Sequence, residues 1–167
     1  MPFTTILSII STLAIVSGGI FAAIQLRQLK RHRSRESAIQ LLQTARTREF
    51  LEAINIVYEL PEGLSRKEIE ERLGDRMGNI LVMFGTFESL GILIHRREID
   101  IELVEDFFRG VILFTGRKFT NYLQEVRDAS NRQTYYEWVT WLYEQMEKRE
   151  SRAPRIPAFE AYRDWEA

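Results

Sequence analysis

The chain contains no cysteine and only two histidines, His32 and His95, in 167 residues. Neither a disulfide framework nor a thiolate site can be built from it, and zinc would need carboxylates in unusual number. No cofactor and no metal is expected. Acids are missing from the start of the chain: all 24 lie from Glu36 onward, together with 18 of the 23 Lys and Arg, a net −6 for that portion. An acidic domain suits nucleic acid poorly, because phosphates reward clustered cations. Gly and Pro are absent from Ile20 to Leu60, and no run alternates apolar and polar residues as a half-buried strand would. His-Glu-x-x-His, the Glu-x-x-His pair of di-iron bundles, serine nucleophile elbows and dinucleotide glycine fingerprints are absent as well. Gly110 to Lys118 imitates a phosphate loop, but it has one residue too many and lies inside an apolar helical pattern. The composition points to no particular small-molecule ligand.

What is present begins with Phe3 to Leu26, 24 residues without a charged side chain. As a helix this run is about 36 Å long, against a hydrocarbon core of about 30 Å, which suits a transmembrane anchor. A signal peptide or a buried core helix is the alternative. The run is longer than a signal h-region, no Lys or Arg precedes it, and no small-x-small cleavage site ends it. Arg27, Lys30, Arg31, Arg33 and Arg35 follow at once, so the positive-inside rule turns the N-terminus outward and the main domain toward the cytosol of an inner-membrane protein. The same five cations are placed to meet anionic lipid headgroups. Within the run, Ser11, Ala14, Gly18 and Ala22 share one face, a small-residue stripe on which a second membrane helix could pack.

Residues 27–36 read as a basic stalk, 37–150 as a helical domain and 151–167 as a Pro-containing tail. The fold class expected is all-α: a membrane helix followed by a bundle of about four helices. Ser37 with Gln40 offers a capping box, and Ile39, Leu42, Phe50, Ile54 and Val57 follow helical spacing up to the stop at Pro61. Ser65 with Glu68 opens a short helix that Gly74 ends. A third helix, from about Asp75 to Ile94, carries Met77, Ile80, Leu81, Phe84, Phe87 and Ile94 inward, and its Gly78, Gly85 and Ser89 leave a narrow face for another helix. Its charges argue for a core helix over a second span. Asp100 is the expected N-cap of a long helix to about Ala129, with Val104, Phe107, Phe108, Val111, Phe114, Phe119, Tyr122 and Val126 on its buried side. Tyr135, Trp138, Leu142 and Met146 mark the last long helix, and Phe159, Tyr162 and Trp165 in the tail fold back or await a partner.

Glu88 is the polar residue of most interest, because it stands between Phe87 and Leu90 beside an apolar stripe. A carboxylate there calls for a partner, and Arg109, Arg117 or Arg127 of the following helix is the expected one, forming a buried ion pair.

The segments Phe87-Glu88-Ser89-Leu90-Gly91, Ile99-Asp100 and Tyr135-Tyr136-Glu137-Trp138, in that order, resemble the uncharacterised DUF4760 family over roughly 37–150. The resemblance implies an N-terminal membrane helix with a helical domain, maps Glu88 onto the family's FE glutamate and sets Arg127 beside a family arginine. It implies no activity. Three functional readings follow: a non-enzymatic accessory or adaptor protein with a protein partner or a homo-oligomeric state, a stress or antiphage effector that oligomerises in the bilayer, and a ligand sensor or enzyme that uses Glu88.

Overall fold

The computed structural model describes residues 17–22, 24–25, 36, 39, 43, 47–152 and 156–166. The chain divides into two units, Met1–Gln40 and Leu41–Ala167. Within the first, residues 17–22 and 24–25 are helical and exposed. The second is a helical bundle, and no strand occurs among the described residues.

Its elements are α1 (Arg48–Glu59), α2 (Arg66–Leu73), a 3-10 turn (Gly74–Arg76), α3 (Met77–His95), α4 (Ile101–Ser130), α5 (Glu137–Arg152) and the single-turn α6 (Ala158–Ala161). Thr47 starts α1 by accepting a hydrogen bond from the Phe50 N–H at 3.4 Å. The expected capping box opens α2: the Ser65 N–H donates to Glu68 at 2.8 Å, and Ser65 Oγ accepts from the Glu68 N–H. Asp100 is the N-cap of α4, although its side chain makes no capping bond. Asn131, left-handed with φ +50°, ends α4 next to the expected limit at about Ala129. The Ser37–Gln40 capping box lies outside the described residues.

In the bundle α3 packs chiefly against α1 and α5, and α4 against α5, α1 and α2, whereas α3 and α4 meet at few points. Round the bundle the order is therefore α1, α3, α5, α4. Phe50 meets Phe108 at 5.6 Å while Tyr58 meets Phe114 at 5.1 Å, so α1 and α4 run the same way. Arg127 reaches Tyr136 whereas Arg149 reaches Glu102, so α5 runs back along α4. Rings fill the centre: Phe84 touches Phe119, Tyr122 and Tyr136, and Phe50 stands edge-on to Phe87 and Phe108. Such edge-on pairs add roughly 0.5–1.5 kcal/mol each beyond area burial.

The buried faces differ in places from the apolar periodicity. On α1 the buried residues are Phe50, Ala53, Ile56 and Val57, with Ile54 only at the margin. Tyr135, expected on the last long helix, lies in the turn before α5 and is exposed. Leu81, Phe107 and Phe114, expected inside, are exposed. Each sits about one residue around the helix from the core line, and Met83, Ile112, Leu123 and Val139 take the interior places. The tail aromatics Phe159, Tyr162 and Trp165 do not fold back onto the core.

The segment Arg66–His95, α2 through α3, is the one stretch among the described residues long and apolar enough to cross a membrane. Seven residues of α3 are buried in the bundle and Glu88 stands in its second half, so α3 serves here as a core helix.

Helix α4, about 45 Å long at 1.5 Å per residue, is the spine. Its Lys118 is buried and donates from Nζ to the carbonyls of Val57 at 2.6 Å and Tyr58 at 3.2 Å. Those carbonyls belong to the last turn of α1, where no further residue of that helix can serve them and a cation is favoured. Two turns along α4, Glu125 accepts from the N–H of Arg66 at 3.1 Å, at the start of α2. Between them Asn121 donates to the Gly63 carbonyl at 3.3 Å. One stripe of α4 thus holds both ends of the α1–α2 connection, positive at the helix end and negative at the helix start. Gly116 lies on the α5 side of the same helix, and a Cβ there would fall inside the Tyr143 ring.

Gly116→Ala is expected to destabilise the bundle by about 1–3 kcal/mol through this overlap, despite the better helix propensity of Ala. Gly85, where an added Cβ meets nothing within 4 Å, gives the opposite result: Gly85→Ala gains on the order of 0.5–1 kcal/mol. Urea denaturation of the two variants checks both signs.

Candidate functional site

Glu88 is half-buried on α3, facing the first turn of α5. Its Oε2 accepts a hydrogen bond from the backbone N–H of Trp138 at 3.1 Å. Trp138 is the second residue of α5, and the first N–H groups of a helix have no partner within it. Glu88 is therefore an N-cap supplied by a different helix, with the negative charge at the positive end of the α5 dipole. Burial pushes its carboxyl above the ordinary carboxylate range; the Trp138 N–H and Arg127 pull the other way, and Glu137 adds to the rise.

Gly91, one turn along α3, meets the same residue. A Cβ at Gly91 would lie 2.9 Å from Trp138 Cβ and 3.0 Å from its carbonyl oxygen, so only glycine lets α5 come this close. Phe87 completes the segment by standing edge-on to Phe50. The Phe87-Glu88-Ser89-Leu90-Gly91 segment is thus a socket for the start of α5. His95 lies at its rim, 5.0 Å from the Trp138 ring and 6.2 Å from Trp141.

Among the described residues no ion pair joins Glu88 to the three arginines expected as its partners. Arg127 holds the other side of the same corner, donating to the carbonyls of Tyr135 at 2.9 Å and Tyr136 at 3.0 Å and to Thr140 Oγ1 at 2.7 Å. Tyr136 has φ +49°, a left-handed conformation uncommon outside glycine, and Arg127 and Glu88 clamp the chain on either side of it. Arg109 and Arg117 belong to a separate network between α4 and α5. Arg109 lies 3.9 Å from Glu105 and 3.7 Å from Glu150, and Arg117 lies 3.6 Å from Glu150. Arg149 closes it, 2.8 Å from the buried Glu105 and 3.0 Å from Glu102. Glu150 Oε2 is enclosed without a hydrogen bond and relies on these cations.

Lys118, Glu105 and Glu125 were not singled out by the sequence pattern. Lys118 had a signal, a cation between Thr115, Phe119 and Tyr122 on an apolar stripe. Glu125 had none, because its partner is a backbone group.

Helices α4 and α5 enclose a cavity of about 110 Å³, lined by Gly116, Leu123, Arg127, Val139, Thr140 and Tyr143 among others. Ligand pockets are commonly about 300–1,000 Å³. Glu88 does not line it. Tyr143 keeps its proton at physiological pH, its hydroxyl pushed up to about 12 by burial and by the bond to Glu147. No group of three or more His, Cys, Asp or Glu able to hold a metal occurs among the described residues.

Of the membrane-facing candidates, Gly18 and Ala22 are helical and exposed, with nothing within 4 Å of Gly18. Ser11, Ala14, Arg27, Lys30, Arg31, Arg33 and Arg35 lie outside the described residues.

Capping and ion pairing by Glu88 predict different mutant behaviour. Glu88→Gln keeps an oxygen for the Trp138 N–H and is expected to be at least as stable as the parent at pH 7. Glu88→Ala leaves that N–H unpaired and loses about 1–2 kcal/mol. Because the folded carboxyl titrates above its unfolded value, the contribution of Glu88 to stability is greatest below the unfolded pKa. It declines as pH rises from there to the raised folded value, and Glu88→Gln abolishes that decline. Thermal denaturation across the acid range measures it; a large loss in Glu88→Gln at pH 7 would establish an ion pair instead.

Searches of curated proteins and of solved structures find no match to the chain. One family does match. Its description is a domain of unknown function, DUF4760, and its sequence model covers residues 12–146, which include the α5 socket, the whole of α4 and most of α5. With that match spanning most of its length, the chain belongs to the DUF4760 family.

Proposed function

We propose that the chain is a single-pass, non-enzymatic membrane protein whose cytosolic helical domain docks a helix of another membrane-associated protein, as an accessory or adaptor subunit. The observation that carries this reading is the outward face of α3. Gly78, Leu81, Val82, Gly85 and Ser89 lie on it, all exposed and all uncharged. The two hydroxyls nearby are spent on the helix itself: Thr86 donates to the Val82 carbonyl at 3.0 Å and Ser89 to the Gly85 carbonyl at 2.9 Å. The face therefore offers water almost nothing. A helix apolar all round is ordinarily covered all round. At Gly78 and Gly85 an added Cβ would meet no atom within 4 Å, which leaves room for a second helix backbone.

The polar groups that join the helices support the same reading. Glu88, Lys118, Glu125 and Arg127 hold helix ends, and Glu105, Arg109, Arg149 and Glu150 hold α4 to α5. The anchor reading rests on the uncharged run from Phe3 to Leu26 and the five cations after it.

The absence of cysteine makes the test direct. Val82→Cys introduces a single thiol on the α3 face, and Lys67→Cys, on the exposed side of α2, serves as the control. Crosslinking in native membranes with a benzophenone maleimide, which couples to the introduced thiol and on irradiation inserts into C–H bonds of whatever lies against it, is expected to give a defined heteromeric product from position 82 alone. A product of two copies only would make the chain a homo-oligomer acting on the bilayer. Equal, diffuse products from both positions would end the docking reading.

A further inference from the structure

Four large apolar side chains stand three residues apart beyond α5, and all are open to water: Ile156, Phe159, Tyr162 and Trp165, between 65% and 74% exposed. Pro157 precedes the turn of α6, and the Trp165 N–H donates to the Tyr162 carbonyl at 3.1 Å, so this part of the tail has local structure of its own. A disordered solubilising tail has few aromatics. This one has three in seven residues, interleaved with Glu160, Arg163 and Asp164.

The bundle's topology says where the tail emerges. Phe50, at the start of α1, touches Phe108 near the start of α4. Arg149, near the end of α5, touches Glu102 and Glu105 in the same part of α4. The chain therefore joins the bundle at Arg48 and leaves it at Arg152 from one and the same end. The end at which α1 begins is thus the end from which the tail departs.

We infer that the tail from Ile156 to Trp165 is a second membrane contact, lying in the headgroup region of the bilayer with Trp165, Tyr162 and Phe159 at the acyl boundary. Trp and Tyr are the side chains that favour that depth, because each has an apolar body and a hydrogen-bonding tip. Arg163 can extend its head to the lipid phosphates while its stem lies along the apolar side. From residue 153 to the end the tail has two arginines against three acids, so attraction to anionic lipid is not what holds it. The contact is apolar and independent of salt and of lipid charge, unlike one made by a basic run. This inference rests on the membrane anchor proposed above.

The experiment uses the full chain reconstituted in phosphatidylcholine vesicles, with Trp138→Phe and Trp141→Phe leaving Trp165 as the only indole. A second form, wild type except for Glu166→Cys bearing an environment-sensitive fluorophore, covers the case in which the double variant is poorly folded. Bromine placed near the headgroup end of the acyl chains is expected to reduce Trp165 emission by about twofold or more, and aqueous iodide to quench it several-fold less than the urea-unfolded chain, equally at low and high salt. Free access to iodide with no effect of bromine would overturn the inference. So would protection from both quenchers, which would place the tail on protein, either its own bundle or a partner. Flotation after alkaline carbonate reads the anchor separately: loss of flotation with bromine quenching retained would remove the anchor and leave the tail contact. Flotation without bromine quenching would do the reverse.

Discussion

A helix cannot satisfy its own ends, and this bundle meets that constraint with charged side chains borrowed from other helices. The last carbonyls of α1 receive Lys118 from α4, the first N–H of α2 receives Glu125 from α4, and the Trp138 N–H of α5 receives Glu88 from α3. In each case the sign agrees with the helix dipole, cation at a C-terminus and anion at an N-terminus. The bonds that finish the secondary structure are also bonds between helices, so local and tertiary order are gained together.

This arrangement explains why α4 is the longest of the described helices and why so much polarity lies along it. On one side it carries the Lys118, Asn121 and Glu125 stripe, and on another the carboxylates and arginines that meet Arg149 and Glu150. Partly exposed ion pairs of this kind add little net stability over apolar packing, but they penalise any slip of one helix along another. With Tyr143 seated over Gly116 as well, the register of α5 against α4 is fixed at several independent points.

The residues that look most like a reactive site are also structural. Glu88 and Gly91 both act on Trp138, one by accepting its N–H and one by making space for it, and Arg127 holds the two carbonyls just before it. What the bundle leaves unused is apolar rather than polar: the outer face of α3 and the aromatic tail after α5. Surfaces of that kind suit contact with other helices and with lipid. Both belong to the proposals made above rather than to the fold itself.

The apolar spacing, the Ser65–Glu68 box, the stops at Pro61 and Gly74 and the end of the long helix near Ala129 were legible in the sequence, because helix periodicity and capping are local properties of a few neighbouring residues. All-helical architecture follows from them. The partner of Glu88 was not legible. An opposite charge can be sought in a sequence, whereas every residue but proline has a backbone N–H, and only the approach of α5 to Gly91 selects that of Trp138. For the same reason the sequence could not tell Leu81 and Phe107 from the core residues beside them. One step around a helix is 100°, and which side faces inward depends on where the neighbouring helices lie. Sequence by itself determined the helices and most of their limits; the tertiary structure alone decided which polar groups face one another, since that depends on distances between residues far apart in the chain.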